Sequence, residues 1–218
     1  MTDPYPDPEP GHRGRRAGRR KLHVLHGARR VIAQRGADAT RFRDVAAETG
    51  SAVSTLQYSF GSREDLIIAA LEDAAKADFD RARRAAEADV GPVGQLRALV
   101  VASVVTDSDE EAREAWLIWV EYWRAAARDS ELRSGSAAVY ARWRALVGGI
   151  LTDGRTAGDF RSDLDIDLAA TQVLALLDGV GVPVVLEHPG MTSAHAAVAV
   201  LDALAGILGC EALRGEAA

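Results

Sequence analysis

The stretch FRDVAAETGSAVSTLQYSFGSREDLI, from Phe42 to Ile67, constrains the fold more than any other part of the chain. Within it lie the signals of two short helices and the start of a third. Phe42, Val45, Ala46 and Thr49 keep the spacing of one helical face, and Gly50 closes that segment because glycine accepts the left-handed geometry a helix end needs. A second segment, over about 53–60, turns Leu56 and Phe60 inward. Ser62 with Asp65 three residues on is a capping pair that opens a long helix reaching roughly Glu87. Helices of two turns cannot bury a core alone. They make sense as a braced surface presented to something outside the chain.

The rest of the chain carries helical signals too. From Arg19 to Arg35, Leu22, Leu25, His26, Ala28, Ile32 and Ala33 keep a 3.6-residue spacing, and Gly36 ends the run. Further helices are expected over 93–106, 110–128, 136–153, 164–186 and 193–208. Gly91-Pro92, Gly154, the His188-Pro189-Gly190 turn and Gly209 punctuate them. No stretch alternates with a period of two, so the expectation is an all-α chain of about nine helices. The last two segments, DLAATQVLALLDGVGVPVVL and AHAAVAVLDALAGILG, are apolar nearly all round and must be covered on more than one side. A second copy of the chain is the favoured cover, and a central place in the monomer is the alternative.

Several classes are disfavoured at once. The 48% hydrophobic content is too high for a disordered chain, although residues 1–18, rich in Pro, Gly and charge, read as a disordered basic arm. A lone cysteine, Cys210, suits a reducing, cytoplasmic setting. The N-terminus has no apolar signal-peptide region, and VLALLDGVGVPVVL, the nearest approach to a membrane span, contains Asp178. No membrane partner is therefore expected. His23 with His26, and His188 with His195, lack a third ligand at metal spacing and read as polar edges. There is no nucleophile motif, P-loop or dinucleotide fingerprint. No enzyme activity, metal or cofactor is expected.

Charge divides the chain. The formal net charge is −6, yet residues 11–63 hold twelve Lys and Arg against Asp38, Asp44 and Glu48. An acidic chain with one basic lobe repels polyanions everywhere except at that lobe. Scattered solvated arginines explain RGRRAGRRK equally well. Helix, glycine turn and short helix form the helix-turn-helix arrangement, whose second helix enters the major groove of double-stranded DNA. Val45 and Ala46 can brace Leu56 and Phe60, which leaves Val53, Ser54, Gln57, Tyr58 and Ser59 pointing outward.

With these pieces in place, Ala39–Glu72 resembles the DNA-binding domain of the TetR family of bacterial transcriptional regulators. The resemblance rests on Ala39-Thr40, RDVA at 43–46, the Gly50 turn, Thr55-Leu56, Phe60 and SREDL at 62–66. WLIWVEYWRAAARDSEL, YARWRALVGGIL, GDFRSD and LLDGVG in the second half resemble the BetI-like branch more loosely. Departures fall on the DNA-facing positions: Ser51 and Ala52 follow the turn, Arg41 stands where a small hydroxyl cap is usual, and the single tyrosine of the 53–60 segment is Tyr58. The resemblance implies a head at 19–64 and a ligand-binding and dimerisation domain at 65–218. It implies a homodimeric repressor released from a palindromic operator by a small molecule. Transcriptional activation and a protein-binding adaptor role are the alternatives.

On that reading Thr40, Arg41 and Arg63 lie at helix starts and hold phosphates. Gln57 offers a bidentate contact to adenine, and Val53 its methyls to thymine, with Ser54, Tyr58 and Ser59 beside them. All four tryptophans fall between 116 and 143. Trp116, Trp119 and Trp123, with Val120 between, share a helical face, and Tyr140 and Trp143 share a face of the next. Such a stripe fits either a core or a pocket between helices, to which Leu177 would contribute. Faces of these rings can cage a cation, with Glu121 or Asp178 as counter-charge.

Overall fold

The computed structural model describes residues 10–215, with the backbone alone for residues 10–17 and Glu131. The described residues form α1 (Pro10–Arg35), α2 (Phe42–Thr49), α3 (Val53–Phe60), α4 (Arg63–Ala88), α5 (Gly91–Val104), α6 (Asp109–Ala126), α7 (Ser130–Ala157), α8 (Ile166–Val185) and α9 (Ser193–Leu208). One 3-10 turn, Glu211–Leu213, follows, and no strand occurs among them. The chain divides into two compact units after Asp73, a point inside α4.

In the first unit α1 starts at Pro10, ahead of the Arg19 start that the sequence predicts. Proline suits a first helical position, and the Arg and Ala that follow are good helix formers. Residues 1–9 of the expected arm lie outside the described residues. The buried stripe of α1 is Val24, Leu25, Ala28, Val31 and Ile32. Leu22 is 47% exposed, which corrects the expected face. At 3.6 residues per turn it sits about 120° around the helix from Ala28. His26 is exposed for the same reason.

The packing of α1 on α2 is close at one point, where a side chain at Gly27 would run into Thr49. Gly50 then turns the chain with φ 63°, its N–H donating to the Ala46 carbonyl. Val45, Ala46 and Leu56 are buried where α2 meets α3. Asp44 accepts from the Arg41 N–H at 3.0 Å, so α2 is closed by its own third residue. The Ser62–Asp65 pair forms as expected: Asp65 N–H donates to Ser62 Oγ at 3.0 Å, and Ser62 Oγ donates to the Asp65 carboxylate at 2.7 Å.

In the second unit α8 packs against α5, α6, α7 and α9, and α9 packs against α5. Leu96, Leu99, Val147, Leu151, Val173 and Leu201 are fully buried at the centre, each contributing about 1.5–3 kcal/mol over its exposed state. By length and composition α8 could cross a membrane, but it carries Asp167 and Asp178 and has four helices as neighbours. A side chain at Gly181 would meet the Trp116 ring, so glycine lets α8 approach α6 closely. The central place is real, yet incomplete as cover: Leu168 and Val182 on α8, Leu186 just after it and Val198 on α9 remain exposed.

Candidate nucleic-acid interface and ligand pocket

The outward face of α3 is open. Tyr58 is 94% exposed and Val53 38%; Ser54, Gln57 and Ser59 are exposed beside them. Ala52, before the first turn, provides no side-chain cap, so the leading N–H groups of α3 stay available to an acceptor such as phosphate. Arg43 extends from α2 with its side chain 83% exposed, a cation that sequence reasoning had not singled out. Lys21 lies over the Phe60 ring at 5.8 Å.

Two expected phosphate contacts turn inward instead. Thr40 is 0% exposed, and its hydroxyl donates to the Gly36 carbonyl at 2.9 Å. The Arg63 guanidinium donates through Nη1 to the carbonyls of Ala37 and Thr40, at 2.8 and 3.0 Å. The physical reason is the α1–α2 loop, whose carbonyls have no helical partner and take donors from nearby side chains. Arg41 is divided: Nη1 donates to Asp38 O at 2.6 Å while the residue as a whole is exposed.

The second unit encloses a small cavity of about 80 Å³. Trp116, Trp119, Trp123, Tyr140, Trp143 and Leu177, spread over positions 116 to 177, all line it. Core and pocket are not exclusive here, because Trp116 and Trp143 are buried to 7% and 9% exposure and still form its wall. Ring centroids of Trp119 and Trp123 lie 5.9 Å apart, and those of Trp116 and Trp123 6.5 Å. Val120 is 37% exposed and does not belong to the wall.

Sequence reasoning missed the polar end of this cavity. Asp78 and Arg81 reach it from α4, and Ser103 from α5. Asp78 is 5% exposed; its Oδ2 accepts from Trp119 Nε1 at 2.9 Å. Its Oδ1 is paired with Arg81 Nη1 at 3.0 Å, so the charge of the buried carboxylate is balanced within the wall. Arg81 Nε donates to the Ala102 carbonyl at 2.9 Å.

Asp178 lines the cavity from α8 and has no hydrogen bond or ion pair among the described residues. Burial of the carboxyl pushes it up to about 6, while the residue as a whole is exposed at the cavity edge. Glu121, the other expected counter-charge, is 2.9 Å from Arg124 and lies outside the wall.

Residues 24–70 match the family of bacterial regulatory proteins of tetR type, and residues 92–209 match the C-terminal domain of BetI-type transcriptional repressors. The HTH-type transcriptional repressor KstR2 of Rhodococcus jostii is 30% identical over 170 residues, 78% of this chain and 79% of the relative. KstR2 of Mycolicibacterium smegmatis is 29% identical over 159 residues, 68% and 71% of the two chains. A transcriptional regulator from Saccharomonospora viridis, solved in complex with choline, superposes with a TM-score of 0.75 at 29% identity, covering 84% of this chain and 93% of that one. FadR from Bacillus subtilis, solved with stearoyl-CoA, shares the fold with a TM-score of 0.69 at 19% identity, covering 85% and 98%.

Proposed function

The chain belongs to the tetR family of bacterial regulatory proteins and is a ligand-responsive DNA-binding transcriptional repressor; we propose that its effector is a compact organic cation of the quaternary ammonium class. The observation that carries this reading is the cavity itself, where four indoles and a phenol surround a space bordered by Asp178, a carboxylate unpaired among the described residues. Cation–π attraction is worth roughly 0.5–1 kcal/mol at exposed rings and about 2 kcal/mol in desolvated ones. Asp178 supplies the counter-charge that such a ligand needs. The relative bound to choline supports the same chemistry.

DNA is read by α3. Gln57 contacts an adenine edge and Val53 a thymine methyl, with Ser54, Tyr58 and Ser59 completing the face. Arg41 and the exposed Arg43 hold phosphates, which fix register without specifying sequence. Two copies of the head address two half-sites, because Leu168, Val182, Leu186 and Val198 form an apolar face that a second copy of α8 and α9 would cover. The setting is the bacterial cytoplasm, and the chain performs no catalysis.

Release follows from linkage. An effector weakens DNA binding only by favouring a conformation that DNA does not. Helix α4 supplies Asp78 and Arg81 to the cavity and Arg63 to the loop before α2, so one continuous element touches both functions. Choline titrated into the protein should change tryptophan emission, raise the melting temperature and weaken operator binding together. An unchanged melting temperature at saturating choline contradicts the cationic effector.

A further inference from the structure

We infer that the first half of α1 is a DNA-binding element in its own right: a basic helix over residues 10–23 that lies along phosphates flanking each half-site and lengthens the footprint of the head. This rests on the DNA reading of the head given above and adds a surface that the helix-turn-helix does not contain.

Helix α1 begins at Pro10, yet its described burial begins only at Val24, which is also where the match to the tetR-type family begins. Residues 18–23 are all exposed, so they add nothing to the core of the head. From Pro10 to Ala37 the sequence holds nine Lys and Arg and no Asp or Glu. Arginines at 15 and 19, and at 16 and 20, stand four residues apart and repel as like charges. Glycine at 14 and 18 weakens the helix further. Other exposed cations have acidic partners: Arg30 meets Glu48 at 2.6 Å, and Lys76 meets Asp80 and Arg83 meets Glu87 at 2.7 Å. Arg19 and Arg20 have none among the described residues. A helix so charged is stabilised by a polyanion laid beside it.

Position selects the polyanion. Lys21 Nζ lies 5.8 Å from the ring of Phe60, the last residue of α3. His23 Nε2 donates to the carbonyl of Thr49, the last residue of α2, at 3.1 Å. The basic half of α1 therefore leaves the head beside the reading helix. At 1.5 Å per residue, the helix from Lys21 back to Pro10 spans about 16 Å. That is about five phosphate steps along one strand of a duplex. DNA held by α3 carries its flanking phosphates past that length. Guanidinium groups match phosphate oxygens in pairs, and such contacts add affinity without reading sequence.

The test compares the full chain with the variant R13Q/R16Q/R19Q/R20Q on a duplex that the full chain selects from random DNA. The duplex is used with flanks of about ten base pairs, one helical turn, and again trimmed to its half-sites. Glutamine keeps the helix propensity and removes the charge, so the melting curve is expected to hold. On the flanked duplex the log–log salt slope of the unaltered chain should be steeper by about 0.9 for every phosphate the arm holds. Two phosphates at each of two heads give a difference of about 3–4. Trimming the flanks should weaken the unaltered chain by roughly tenfold or more and the variant little, with base preference inside the half-sites the same for both. Equal slopes, or an unaltered chain that binds trimmed and flanked duplexes alike, overturns the arm while the DNA reading of the head stands. A variant that keeps the DNA slope but loses binding to phosphatidylglycerol vesicles assigns the arm to a membrane surface and overturns it too. Failure of the unaltered chain to select any duplex removes the DNA reading and this inference with it. If the variant does not fold, the flank comparison on the unaltered protein decides.

Discussion

In the first unit Thr40 and Arg63 turn inward to loop carbonyls while Val53, Gln57 and Tyr58 stand in solvent. In the second unit the arrangement is reversed: large rings such as Trp116 and Trp143 are buried, and a buried carboxylate faces an empty space. A surface that reads another molecule needs a stiff frame beneath side chains left free to reach. A site that encloses a small molecule needs a packed frame that leaves room within it. In the head, polar groups make the frame and the reading face stays open. In the bundle, aromatic rings make the frame and the polar atoms of Asp78 and Asp178 border the space it leaves.

The largest effect that tests this contrast is on stability. Trp143→Ala should cost ~3–5 kcal/mol, because Trp143 packs edge-on to Phe79 at 5.4 Å and supports the cavity wall. Tyr58→Ala on the open face should stay within ~0.5 kcal/mol of the parent. Urea unfolding of both variants measures it, and equal losses would erase the distinction between frame and reading face.

Arg63→Ala comes next. It strips donors from the Ala37 and Thr40 carbonyls and should destabilise the head by ~1–3 kcal/mol. Were Arg63 a free phosphate contact, the unfolding curve would not move and only DNA affinity would fall. Gln57→Ala should show the opposite pattern, with unchanged stability and a loss of ~1–3 kcal/mol confined to one operator position. Selection from random DNA with that variant reads the change, and an unaltered base preference removes Gln57 from the reading face.

The smallest effect concerns pH. Burial raises the Asp178 carboxyl from its ordinary 3.8 to about 6, so the folded chain holds that proton more tightly than the unfolded one. Its contribution to stability is complete below 3.8 and is lost as pH rises through about 6. Cation binding needs the charged carboxylate and runs the other way, strengthening over the same window. Choline affinity measured from pH 5 to pH 7.5 should rise, and Asp178→Asn should flatten the profile. A flat profile in the unaltered protein excludes Asp178 as the counter-charge.

Where the sequence was legible, the signals were local. Gly50 and the Ser62–Asp65 cap act within a few residues of themselves, so pattern alone placed α2, α3 and the start of α4. The tryptophan stripe was visible as a stripe because its period is helical. The inward turn of Arg63 was not visible: nothing at position 63 reveals that carbonyls 23 and 26 residues earlier lie within reach of its guanidinium. Asp78 was missed for the same reason, since its indole partner lies 41 residues on. Leu22 misled because an apolar residue at roughly the right spacing was still about 120° off the buried stripe.

The central claim is that ligand in the cavity and DNA on α3 compete for conformations of one molecule. It is tested most directly by titrating operator DNA with the full chain, with and without saturating choline, at fixed salt. The account predicts that the apparent operator Kd rises by roughly 5-fold to 150-fold, and that operator raises the choline Kd by the same factor. Choline bound to the protein with operator affinity unchanged would contradict it.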